Sequence, residues 1–126
     1  MLVKEYGIED YDMIKQWYEA HGMVAPDPDC FPRIGAVVEG VAAGFLFQTD
    51  SKIGLLENYI SNPEAGPRER DTALNLITQI LIETGRQIGL KSIAGFTSVP
   101  AIAKRAVKNG MTLDEKTYQL ITIRTN

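Results

Sequence analysis

Residues 53–73 read IGLLENYISNPEAGPRERDTA, and the reading of this stretch decides the fold. Ile53–Ser61 is apolar and aromatic enough for a strand, with Glu57 the only carboxylate among residues 54–61. A loop begins at Pro63. Residues 69–89 then read as one long helix, because Leu74, Ile77, Leu81, Thr84 and Ile88 recur at three- and four-residue steps. Gly85 inside that helix costs about 1 kcal/mol against alanine, which suits a close approach to a sheet. Gly89 ends it.

Working outward, Ile34–Glu39 and Val41–Thr49 are two further strand-like runs. Gly40 and Asp50-Ser51-Lys52 separate the three runs as hairpin turns, so they form an antiparallel meander. Earlier still, Leu2–Tyr6 reads as a first strand. Asp10 then caps a helix whose apolar face carries Ile14, Trp17 and Tyr18, and Gly22 stops it. Pro26, Pro28 and Pro32 exclude a regular helix over Met23–Pro32 and leave a fixed loop. Downstream come a short strand at Ser92–Thr97, a helix opened by Pro100 and running to Lys108, an Asn109-Gly110 stop, and a last strand at Lys116–Thr125. The fold class is therefore α/β (α+β): a mixed, largely antiparallel central sheet with helices on both faces, in one domain over residues 1–126.

Composition narrows the function. With 126 residues, 44% of them hydrophobic, the chain buries roughly two-thirds of its unfolded surface without a staple. One cysteine (Cys30) and one histidine (His21) exclude a disulfide framework and a Cys/His zinc site. A net charge of −3 argues against general nucleic-acid binding. The longest apolar stretch, Val37–Phe47, is broken by Glu39 and glycines and falls far short of the roughly 20 residues a membrane span needs. Met1–Tyr6 lacks a signal pattern, so a cytoplasmic protein is expected.

The element order, the segment Tyr59-Ile60-Ser61-Asn62-Pro63 and the helix ending Lys108-Asn109-Gly110-Met111 together resemble the GCN5-related N-acetyltransferase superfamily. The resemblance covers nearly the whole chain. It implies an acyl-CoA-dependent N-acyltransferase, with acetyl-CoA as co-substrate and an amine as acceptor in direct transfer. The family's pyrophosphate signature, Q/R-x-x-G-x-G/A, is matched best by Arg68-Glu69-Arg70-Asp71-Thr72-Ala73. Arg68 and Ala73 keep the end positions, and Asp71 replaces the middle glycine. A carboxylate about 4 Å from a phosphate costs about 4 kcal/mol at an effective dielectric near 20. Arg68 and Arg70 would offset part of that. In the other reading Asp71 is the N-cap of the long helix and takes the amides a phosphate would use.

For chemistry, the resemblance implies a backbone N–H of the fourth strand, at Ile60 and its neighbours, aimed at the thioester carbonyl. Glu57 is the candidate base, since a carboxyl in an apolar strand has a raised pKa. The alternative is a strand glutamate in solvent or a salt bridge. The family's thiolate-protonating tyrosine falls at Ala106 here, which leaves Tyr59 and Tyr118 as the tyrosines for that role. His21 reads as a helix-end residue, Trp17 and Tyr18 as core, Cys30 as an inert, partly buried thiol, and Met23–Pro32 as the specificity segment. Lys104, Arg105 and Lys108 form a small basic cluster, too small for nucleic acid. The missing glycine and tyrosine leave a second reading open: a non-catalytic protein of the same fold acting through a protein interface, as in a phage-like host-interaction or virion role. A homodimer through the last strand is compatible with either.

Overall fold

Successive strand residues point to opposite faces of a sheet, and neighbouring Ala36 and Val37 are buried in two different cores. A computed structural model of the chain, describing residues 1–97, 99–114, 116 and 119–123, explains why both faces are covered. The strands β1 (Lys4–Glu5), β2 (Ile34–Val38), β3 (Ala42–Gln48), β4 (Ile53–Ser61) and β5 (Ser92–Ala94) lie in that spatial order. β1 to β4 pair antiparallel, as the meander requires. β5 joins β4 in parallel, which needs a long crossover, here α2 (Pro67–Gln87).

α1 (Tyr11–Ala20) packs Ile14, Trp17 and Tyr18 on one face of the sheet with Val37, Ala43, Phe45 and Ile60. α2 packs Ala73, Ile77 and Leu81 on the other, against Ala36, Val38, Ala42 and Leu46. Ile14, Phe45, Leu46 and Ile77 are fully buried, each worth about 1.5–3 kcal/mol of transfer free energy. Gly85 is buried too, and a Cβ there would sit 2.6 Å from Ile93 Cδ1 of β5. That explains the glycine inside a helix. The buried carboxylate of Asp10 accepts from Lys4 Nζ at 2.6 Å and from the Gly7 amide at 2.9 Å, pinning β1 to the entry of α1.

β4 keeps the expected bounds Ile53–Ser61, whereas β1, β2, β3 and β5 are shorter than the sequence suggests, because ladder pairing ends before the apolar pattern does. α2 begins earlier than residue 69: Pro67 occupies its first position, where a fixed φ suits a helix and the missing N–H is no loss. These elements belong to a compact unit, Met1–Phe96. A second unit, Thr97–Asn126, contains α3 (Pro100–Lys108), closed by Gly110 at φ 91°. Residues 116 and 119–123 of the expected last strand are not in a strand; the remaining positions, Tyr118 among them, lie outside the described residues. Among the described residues no helix is long and apolar enough to cross a membrane.

Candidate active site

β4 separates two partners at its middle. On one edge, the pairs Ala43↔Ile60 and Phe45↔Glu57 leave Asn58 and Tyr59 facing the single residue Gly44, which is a β-bulge. Asn58 holds φ at 58°, a left-handed value that asparagine tolerates better than other side chains with a Cβ. On the other edge, pairing with β5 ends at Leu55↔Ala94, with Gly95 still beside the Leu56 carbonyl. From Glu57 to Ser61 that edge has no strand partner among the described residues.

The bulge reassigns side chains, since one extra residue reverses the alternation beyond it. Glu57 stands opposite Phe45 on the α1 face. Tyr59 is swung to the α2 face, where its hydroxyl lies 3.0 Å from Thr78 Oγ1 and its ring covers Gly44. The two candidate catalytic side chains are thus not brought together. Glu57 is half-buried, and burial raises its pKa above the ordinary carboxyl value. Tyr18 of α1 is pushed up to about 12, first by burial and then by the charge of Glu57.

At the end of β4 the direction of the amides is fixed by two hydrogen bonds. Asn62 N–H donates to Val41 O at 2.8 Å, so its neighbour pair Ser61↔Ala42 turns its polar groups away from the ladder and Ile60↔Ala43 turns them inward. The Ser61 carbonyl accordingly accepts from His21 Nε2 at 2.8 Å, and the Ser61 amide points the same way. The outward donor is therefore that of Ser61, while the Ile60 amide faces β3 and its side chain is buried. His21 is also the C-cap of α1, its backbone N–H donating to Trp17 O and Tyr18 O at 3.1 Å, so the helix end is tied to the strand end.

The loop from Asn62 leads into α2. Asn62 Oδ1 takes the Glu64 amide at 3.0 Å, and its Nδ2 donates to Gly40 O at 2.9 Å. The N-cap of α2 is Gly66, with no side-chain cap bond. Asp71 is not the N-cap; it lies in the second turn, within reach of Asn75 Nδ2 at 3.4 Å. Arg68 through Ala73 are all helical, and Ala73 is fully buried against the sheet. The Arg70 amide bonds Gly66 O at 2.9 Å, whereas the Arg68 and Glu69 amides, in the first turn, are the orphan donors every helix leaves. Among the described residues Arg70 Nε is buried without a hydrogen-bond partner, and a Cβ at Gly66 would meet open space. An anion with several oxygens fits this turn, because it supplies acceptors to donors that have none. Glu69 is the opposing charge in the same turn.

Three features fall outside this region. Cys30 is exposed, not partly buried, because its short 3₁₀ turn (Pro28–Cys30) points it outward. The Met23–Pro32 loop is held by Tyr11 Oη donating to Pro26 O at 2.8 Å and by Phe31, whose ring lies tilted against that of Phe45 at 4.9 Å. A depression of about 300 Å³ lies at the other edge of the sheet, bounded by β1, β2 and the C-terminal half of α2, and shares no residue with the β4 edge.

No protein-family profile matches the sequence, and no curated protein sequence matches it. Solved structures do. Rv2747 of Mycobacterium tuberculosis, in complex with CoA and a second ligand, superposes with a TM-score of 0.75 at 16% identity, over 95% of this chain and 76% of its own. Glucosamine-6-phosphate N-acetyltransferase from Arabidopsis thaliana gives 0.64 at 16% identity, over 97% of both chains. An aminoglycoside acetyltransferase from an uncultured soil metagenomic sample, in complex with sisomicin, gives 0.69 at 10% identity, over 98% and 96%. Over nearly its whole length, the chain has the fold of the GCN5-related N-acetyltransferase superfamily.

Proposed function

We propose that the protein is an acyl-CoA-dependent N-acyltransferase, with acetyl-CoA the expected donor and an amine the acceptor. The observation that carries this reading is that, among the described residues, β4 pairs with β5 only as far as Leu55 and then runs directly into a helix whose first-turn amides and Arg70 Nε have no acceptor among those residues. Solved structures of this fold include named acetyltransferases and one with CoA bound, which supports the same class.

In this reading, Arg68, Arg70 and the amides of Arg68 and Glu69 hold the diphosphate. Bound acyl-CoA would supply an activated thioester. The outward amide of Ser61 donates to the acyl carbonyl, fixed in advance by the His21 bond to the Ser61 carbonyl. Glu57 takes the proton of the attacking amine, and its raised pKa brings it nearer the pH at which it must work. Tyr59, bonded to Thr78 on the far face, is left as packing.

Calorimetric titration with acetyl-CoA tests the assignment. Saturable one-to-one binding is expected, and absence of heat up to millimolar ligand would overturn it. Glu57→Gln is expected to keep that binding and lose turnover. A second reading, a non-catalytic protein of this fold, draws on Glu69 in the first turn of α2 and on Ala106 where the resemblance puts a tyrosine. It requires that acetyl-CoA leave the protein's melting temperature unmoved.

A further inference from the structure

His21 is the one histidine of the chain, and the end of α1 fixes where it stands. Gly22 takes the left-handed φ of 73°, and the turn closes with Gly22 N–H on Glu19 O and Met23 N–H on Tyr18 O, both at 2.9 Å. These are the two reverse bonds of a Schellman closure, which holds the residue ahead of the glycine in one backbone setting. His21 is exposed, so burial does not bring its ring to β4. Its hydrogen bond to the Ser61 carbonyl, at 2.8 Å, does. A carbonyl oxygen only accepts, so the hydrogen is on Nε2.

An extended residue directs its N–H and C=O to the same side of the strand. A donor seated on the Ser61 carbonyl therefore stands on the side to which the Ser61 amide points. The peptide group between Ser61 and Asn62 is held at both ends: Asn62 N–H by Val41 O at 2.8 Å, and Ser61 O by His21. Without the imidazole it is held at one end only and can rock about that bond, at the point where β4 gives way to the loop. We infer that His21 is a positioning residue for acyl transfer: it sets the tilt of the Ser61 amide toward the thioester carbonyl, and so makes α1, with β4 and α2, part of the acyl-donor site. This inference rests on the transferase reading. A donor held in place before the substrate arrives needs no reorganisation as negative charge develops on the oxygen, so a loss of tilt weakens the hold on the carbonyl more than the hold on the whole ligand.

Side-chain length separates positioning from helix capping. Glutamine carries an amide N–H about as far from the backbone as Nε2, and asparagine one bond short of it, while asparagine is the better residue at a helix end. The full chain and its His21→Gln and His21→Asn variants are each saturated with acetyl-CoA carrying carbon-13 at the thioester carbonyl, and the carbonyl stretch is read by isotope-edited infrared spectroscopy. In the natural chain and in His21→Gln the stretch should lie below that of free acetyl-CoA, and in His21→Asn it should return toward the free value. The acetyl-CoA Kd should stay within about threefold across the three proteins, and His21→Asn should melt no lower than His21→Gln. Equal stretches in the two variants, retained or lost alike, overturn the inference and leave the transferase reading standing. If the natural chain does not bind acetyl-CoA, the transferase reading falls and the inference falls with it. The unliganded chain gives an independent check, since its one imidazole yields one set of signals in a long-range proton–nitrogen spectrum. The hydrogen should be on Nε2, and a hydrogen on Nδ1 overturns the bond on which the inference stands.

Discussion

Glu57 is held where its charged form is disfavoured, and that has a stability consequence separate from chemistry. Its pKa is raised by burial, so the unfolded chain loses this proton first, and stability falls as pH climbs past the ordinary 4.5. Below that value its contribution is fully present. Glu57→Gln should therefore melt higher than the natural chain near pH 7, by a few degrees at most, with the difference gone in acid. A lower melting temperature at pH 7 would mean that Glu57 is held by an unseen partner. Tyr18 follows the same sign in the alkaline range: between its ordinary 10.0 and the folded value of about 12, stability drops as pH rises. Alkaline melting curves of Tyr18→Phe should lack that part of the drop. Asp10 acts differently. Its carboxylate, buried at 5% exposure, answers both Lys4 and the Gly7 amide, so Asp10→Ala leaves a donor and a cation unpaired and should cost about 1–3 kcal/mol in urea unfolding.

The element that organises the site is the bulge in β4, and it is also the feature least legible in sequence. The meander, both long helices and the close helix at Gly85 follow from spacing and turn residues. The string Leu56-Glu57-Asn58-Tyr59-Ile60, read with strict alternation, puts Glu57 and Tyr59 on one face and makes them look like a catalytic pair. One inserted residue separates them, and no side chain in the string announces it, since asparagine is ordinary at a strand surface. The start of α2 was hidden for a related reason: Asp71 is a good capping residue, but Pro67 preorganises a helix two residues ahead of the expected start. The amide direction at Ser61 depends on ladder register, which sequence does not contain. If Asn58 at φ 58° holds the bulge, Asn58→Gly should be neutral or stabilising and Asn58→Val should cost about 1–2 kcal/mol. Gly44→Ala should cost about 1–3 kcal/mol, since its Cβ would stand 2.8 Å from both Ile77 Cγ2 and the Tyr59 ring. Equal stability of Asn58→Gly and Asn58→Val would refute a left-handed residue at that point.

For the whole molecule, the transferase reading poses an electrostatic question: how a chain of net charge −3 would attract a polyanionic donor. The answer must be local, because charges more than about 10 Å apart are largely screened at 0.1 M salt. What remains is the first two turns of α2, where Arg68 and Arg70 stand against Glu69 and Asp71, and the balance is struck by amides and by a guanidinium nitrogen that has no acceptor among the described residues. Long-range repulsion and local attraction respond oppositely to salt: added salt relieves the first and weakens the second. In the natural chain the local term should dominate, so acetyl-CoA affinity falls as salt rises. Removing both cations in Arg68→Ala/Arg70→Ala should lower affinity about tenfold, in keeping with the loss of a charge-assisted contact. It should also flatten the salt dependence or reverse its sign, since repulsion by the acidic remainder is then what salt screens. The measurement is acetyl-CoA binding by calorimetry from low to high salt on both proteins. Parallel salt curves for the two would show that the donor's phosphates do not sit at the entry of α2, whatever else the protein binds.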